Sequence, residues 1–200
     1  MTDDLADQAL ASGLVQPDQT TCGSSVLVVA HMLSDPSYAA FMAHGAANAA
    51  GGDTGTVQNR FRQAALAMHR LTSGMRTPSG GFQLPWPSAL GTQPWALARE
   101  MTTLTGRTYE VQPILPGQRS RTFSRVASLS RGGTPVPLFV GSRWLPRHVV
   151  LALPEHDLPS DQVMIYDPAS GRRYPISAGD FSAGRLDVAG WQVPWAAVTP

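Results

Sequence analysis

Residues 134–168 read TPVPLFVGSRWLPRHVVLALPEHDLPSDQVMIYDP. Three short apolar runs, 134–142, 147–154 and 162–168, alternate with turns rich in Pro, Ser and Asp. Their length and their content of Val, Leu, Ile and Tyr mark three β-strands. Residues 172–177 read as a fourth strand and 191–198 as one that closes the sheet. Upstream, RTYEVQPIL (107–115) alternates as a strand does, and SRTFSRVASLSRGG (120–133) reads as a short helix closed by glycines.

The chain before this region is helical. Residues 1–15 form a short lead-in. Residues 22–34 are apolar nearly all round, which predicts a buried helix, and the Pro of SDP (34–36) ends it. Residues 37–50 start as a helix and fade into the loop GGDTG. In 56–73, Val57, Phe61, Ala64, Ala65, Met68 and Leu71 share one helical face. A helix at 94–105 has Thr92 as its cap, Pro94 at its start and Gly106 after its end. Between these helices, 74–93 is a long segment rich in Gly, Pro and aromatics, a length usually kept for function. Helices first and strands later predict an α+β fold, helices packed on a mainly antiparallel sheet. The 200 residues form a single domain, with a helical half at about 1–106 and a β-rich half at about 107–200.

Composition narrows the function classes. Hydrophobic residues make up 42% and charged residues 14%, so the chain is globular. A net charge of +1 gives no general pull toward nucleic acid or an anionic membrane. The start, MTDDLADQAL, is acidic and lacks an apolar h-region, which predicts no Sec-type signal. The chain is expected in the cytoplasm, or delivered by a route that needs no such signal. The run VLVVA is far shorter than the roughly 20 residues of a membrane span. All 15 basic residues are Arg; GC-rich codon usage explains this, as does avoidance of lysine modification in a delivered effector. No His, Cys, Asp or Glu cluster has metal spacing, and no metal or cofactor is expected.

The one cysteine, Cys22, excludes an internal disulfide. It begins the buried helix. A thiol is a nucleophile as its thiolate, which a helix N-terminus and a neighbouring imidazole both favour. Five histidines are candidates for that imidazole. His31 is too far along the same helix to reach Cys22, His44 and His69 lie in Ala-rich helical stretches, and His156 sits in a charged loop. His148 heads an apolar strand and needs a polar partner there. The next strand ends at Asp167. Antiparallel neighbours bring the start of one strand beside the end of the other, so His148 and Asp167 should meet at one sheet edge. An oxyanion needs donors. The Cys22 N–H is one, and the Gln16 amide is the other, with Gln19 as second choice. Trp86 in the long loop and Trp144 just before His148 are candidates to shape a substrate groove.

QPDQTTCGSS (16–25) resembles the Gln-(five residues)-Cys-Gly pattern of papain-like cysteine peptidases. Within that clan it is most similar to bacterial double-glycine, bacteriocin-processing peptidases. GTQPWALAREMTTLTG (91–106) resembles the helix preceding their central sheet, and the strand, His-strand and Asp-Pro-x-x-Gly strand of 134–181 resemble theirs. The resemblance implies a papain-like fold with Cys22 as nucleophile, His148 as base, Asp167 as its orienter and Gln16 as oxyanion donor. Thr21 stands where those relatives usually have Asp, and Arg147 where they often have a small residue.

The expected activity is peptide-bond hydrolysis through a thioester acyl-enzyme. Two alternatives stay open: a deamidase or transglutaminase acting on glutamine side chains, as in a toxin or effector, and a non-catalytic binding module. The expected partners are a protein or peptide substrate and an inhibitor or immunity protein.

Overall fold

The computed structural model describes residues 2–45, 55–73 and 91–200. Among them it is a mixed α+β structure of seven α-helices and one six-stranded antiparallel sheet. The strands are β1 (Glu110–Pro113), β2 (Val136–Gly141), β3 (Pro146–Ala152), β4 (Gln162–Asp167), β5 (Arg172–Ser177) and β6 (Val193–Thr199). They lie in the order β1-β6-β2-β3-β4-β5. The last strand therefore enters the interior of the sheet, pairing β1 on one side and β2 on the other.

The helices are α1 (Thr2–Ala11), α2 (Cys22–Ser34), α3 (Pro36–His44), α4 (Val57–Ser73), α5 (Pro94–Thr105), α6 (Arg119–Arg131) and α7 (Ala178–Ala183). α2 is buried on every side over its first three turns. It stops at Asp35, whose extended backbone precedes Pro36. The Asp35 carboxylate then accepts from the Ser37 and Tyr38 N–H groups and caps α3. None of these helices is long and apolar enough to cross a membrane.

The sheet is covered on both faces. α1 to α5 share one core with Phe139, Val149, Leu151 and Tyr166. On the opposite face, Phe123 and Val126 of α6 and Phe181 of α7 pack with Val150, Ala152 and Ile165. Along β3, Val149 and Leu151 serve the first core and Val150 and Ala152 the second, the two-residue period of a strand. A fully apolar strand such as HVVLAL follows from burial on both sides.

Two local expectations are corrected. Leu71 is 48% exposed, although it shares the apolar spacing of α4. Arg60 is buried instead, because its guanidinium donates to the Met42 and Ala43 carbonyls at the end of α3 and so satisfies groups a helix end leaves open. Thr92 does not cap α5. The cap residue is Gln93, without a side-chain bond, and Thr92 packs instead on Gly23 of α2. A Cβ at Gly23 would lie 2.5 Å from the Thr92 Cβ, so glycine is what lets segment 91–93 approach the start of α2.

Candidate active site

Cys22 is held by the turn before it. Asp18 Oδ1 accepts from the N–H and the hydroxyl of Thr20, at 2.8 and 2.7 Å, and Thr21 Oγ1 donates to the Asp18 carbonyl at 3.0 Å. Burial works against the Asp18 charge, but the Thr20 bonds outweigh it and hold its carboxyl below the usual range. α2 then begins with Ser25 N–H donating to the Thr21 carbonyl at 2.8 Å. Cys22 is a free thiol, 2% exposed. Across from it lies Gly91, in the left-handed region at φ +71°, where a side chain would reach within 3.5 Å of the Cys22 Sγ.

His148 and Asp167 meet as strand spacing predicts. β3 and β4 pair with Leu151 opposite Tyr166. The pairing ends there, with His148 and Asp167 just beyond it at the same edge. His148 Nε2–H donates to Asp167 Oδ1 at 2.7 Å. The carboxylate also accepts from Ala169 N–H at 3.0 Å, Ser170 Oγ–H at 2.8 Å and Tyr174 O–H at 3.4 Å. Burial opposes the Asp167 charge, but the His148 and Ser170 bonds more than offset it and hold the carboxyl below its ordinary value.

His148 is 5% exposed. Burial disfavours the charged ring, yet the hydrogen bond to Asp167 and the neighbouring Cys22 raise its pKa to about 9. Nε2 is committed to Asp167, which leaves Nδ1 as the ring nitrogen for the thiol. His148 and Asp167 thus form a hydrogen-bonded pair, and the Cys22 thiol acts on the same ring. An imidazole oriented by a carboxylate and acted on by a thiol is an arrangement suited to nucleophilic acyl transfer.

The chain opens on a cleft of about 770 Å³ whose walls include Gln16, Gln19, Arg147, His148 and Trp191. Gln16 N–H donates to the Pro168 carbonyl at 2.8 Å, directly after Asp167. Its side-chain oxygen is buried without a hydrogen-bond partner among the described residues. Gln19 is exposed at the same cleft.

No other histidine bonds Cys22 or Asp167 among the described residues, although His69 Nδ1 lies 3.5 Å from the Ser24 hydroxyl of α2. His31 stacks on Tyr38 at 3.8 Å between ring centres. His69 bonds Ser73. His44 and His156 are exposed. Trp86 lies outside the described residues. Trp144, 71% exposed, sits at the tip of the β2–β3 hairpin with the Arg143 guanidinium 4.6 Å over its ring, and its ring does not line the cleft.

Trp191 and Ala189 line it instead. They belong to a two-residue turn bridged from Val188 to Trp191, with Ala189 at φ +51° and Gly190 at φ +80°. Positive φ at both positions is the geometry of a tight hairpin turn. The Ala-Gly pair at its centre was the available sequence signal. Arg147 was noted as a departure from the family pattern, and the cleft gives it a place. The chain matches no protein-family model and no curated protein sequence.

Proposed function

We propose that the chain is a papain-like cysteine peptidase that hydrolyses peptide bonds through a thioester. The observation that supports this reading is the buried His148–Asp167 hydrogen bond, with His148 at the wall of an open cleft and the Cys22 thiol acting on the same ring. Its order of elements supports the same reading, with the thiol at the mouth of a buried helix and the imidazole and carboxylate on neighbouring strands.

In this reading His148 holds the thiol proton and the Cys22 thiolate attacks the carbonyl carbon of the scissile bond. A C–S bond forms, and the oxyanion is met by the Cys22 N–H and the Gln16 amide. The C–N bond then breaks as His148 passes the proton to the leaving amine. Water, deprotonated by His148, attacks the thioester. The C–S bond breaks, the acid leaves, and the proton remains on His148 beside the thiolate. Asp167 fixes the ring throughout.

The test is stoichiometric labelling of Cys22 by iodoacetamide or E-64 at pH 6, with Cys22→Ala as the blank. A thiol that serves only as a core residue stays unlabelled in the folded protein, and that outcome rejects the reading. Mass analysis of treated peptides then separates chain cleavage from a gain of one mass unit at glutamine, the product of a deamidase.

A further inference from the structure

We propose that the cleft selects substrates bearing an acidic side chain next to the scissile bond, with Arg147 as the residue that binds it; this rests on the reading of Cys22 as the nucleophile. Arg147 immediately precedes His148 in β3 and lines the same cleft. Its side chain is exposed and has no hydrogen-bond or ion-pair partner among the described residues. No carboxylate lines the cleft among those residues. Of the carboxylates within two residues of the lining, Asp18 is committed to Thr20 and Asp167 to His148 and Ser170, and Asp187 lines a different cavity beside Tyr174.

The root of Arg147 is fixed. A Cβ at Gly141 would lie 2.1 Å from the Leu145 carbonyl oxygen and 2.9 Å from the Arg147 N, so the two limbs of the hairpin are in close backbone contact there. Trp195 Nε1–H donates to the Ser142 carbonyl at 2.8 Å and ties the hairpin to β6. A free guanidinium on a fixed root, inside a walled cleft, presents a two-pronged donor to a carboxylate. Trp191 supplies an apolar wall for the rest of the chain.

The experiment follows iodoacetamide labelling of Cys22 by mass, at pH 7 and low salt, in the presence of blocked tetrapeptide pools. One pool carries Asp and Glu, the other Asn and Gln at the same positions. The acidic pool should protect Cys22 at about fivefold lower concentration, the size expected of one ion pair at about 4 Å in water. Arg147→Gln should abolish the difference and Arg147→Glu should reverse it, with circular dichroism showing both variants folded. Added salt should weaken it. Equal protection by both pools, or a preference that survives Arg147→Gln, overturns the proposal while leaving the nucleophile in place. Failure of native Cys22 to label overturns the nucleophile reading and this inference together, so the two failures are distinct.

Discussion

Asp167 gathers donors on both oxygens, His148 and Ala169 on Oδ1 and Ser170 and Tyr174 on Oδ2. An amide in its place keeps one accepting oxygen for the imidazole, and its NH₂ can donate to the two hydroxyls, which also accept. Asp167→Asn should therefore lower turnover by roughly tenfold and Asp167→Ala by on the order of a hundredfold. Equal losses in a peptide-cleavage assay would assign Asp167 a role through its charge alone. The His148 ring gives a second prediction. Its pKa is raised from 6.5 to about 9 in the fold, so the stability it lends is full below pH 6.5 and is lost as pH rises through 9. The lowered Asp167 carboxyl works the other way, stabilising above its ordinary 3.8 and losing that effect as pH falls through its depressed value. Thermal midpoints should be highest between about pH 4 and 6.5 and decline toward pH 9, and His148→Gln should flatten that decline. At this scale the sequence was informative because chemistry-bearing residues are scarce: one cysteine, and one histidine at the head of a strand. Arg147 and Trp191 were harder to read, since an Arg and a Trp at strand starts are ordinary surface and packing residues until turns bring them to one cleft.

Among the elements, the turn Asp167–Gly171 carries the most. Gly171 sits at φ +68°, and a Cβ there would lie 2.8 Å from the Gly13 carbonyl carbon. Gly171→Ala should cost roughly 2 kcal/mol or more, from the left-handed backbone penalty and the clash. Urea denaturation measures the first effect. Peptide turnover should fall while Cys22 labelling persists, because the strain falls on the segment leading to Gln16. Full stability in this variant would show that the turn yields freely. Helix and strand spans were legible because their periods and breakers agree. The face of α4 was not: Arg60 turns inward to serve the end of α3, a partner that a one-helix pattern does not contain. Thr92 failed as a cap for a related reason, since its side chain is taken up by the approach to Gly23.

For the whole molecule, the two cores on either side of the sheet have different relations to the site. Leu151 lies between the sheet and the helical layer that holds Cys22; Phe181 lies on the far face. Both are fully buried. Leu151→Ala should cost about 2–5 kcal/mol and Phe181→Ala about 3–5 kcal/mol. Only the first should slow Cys22 labelling in the folded protein, because it loosens the contact that brings thiol and imidazole together. Comparable slowing in both variants would mean that the site senses overall stability rather than this seam. The mixed class was legible from the order of helices and strands. The second helical layer and the interior position of β6 were not, because they depend on which face α6 crosses before β2 and on how the chain returns to the sheet after β5, and local pattern carries no record of those paths.

The Asp167–Gly171 turn also ties separate parts of the site to one short piece of chain. Its first residue orients the imidazole, its second holds the Gln16 N–H through the Pro168 carbonyl, and its last rests on Gly13. One five-residue turn thus serves as the shared mount of the imidazole's anchor and of the Gln16 backbone, so the spacing between proton carrier and oxyanion donor is a property of that turn's own geometry.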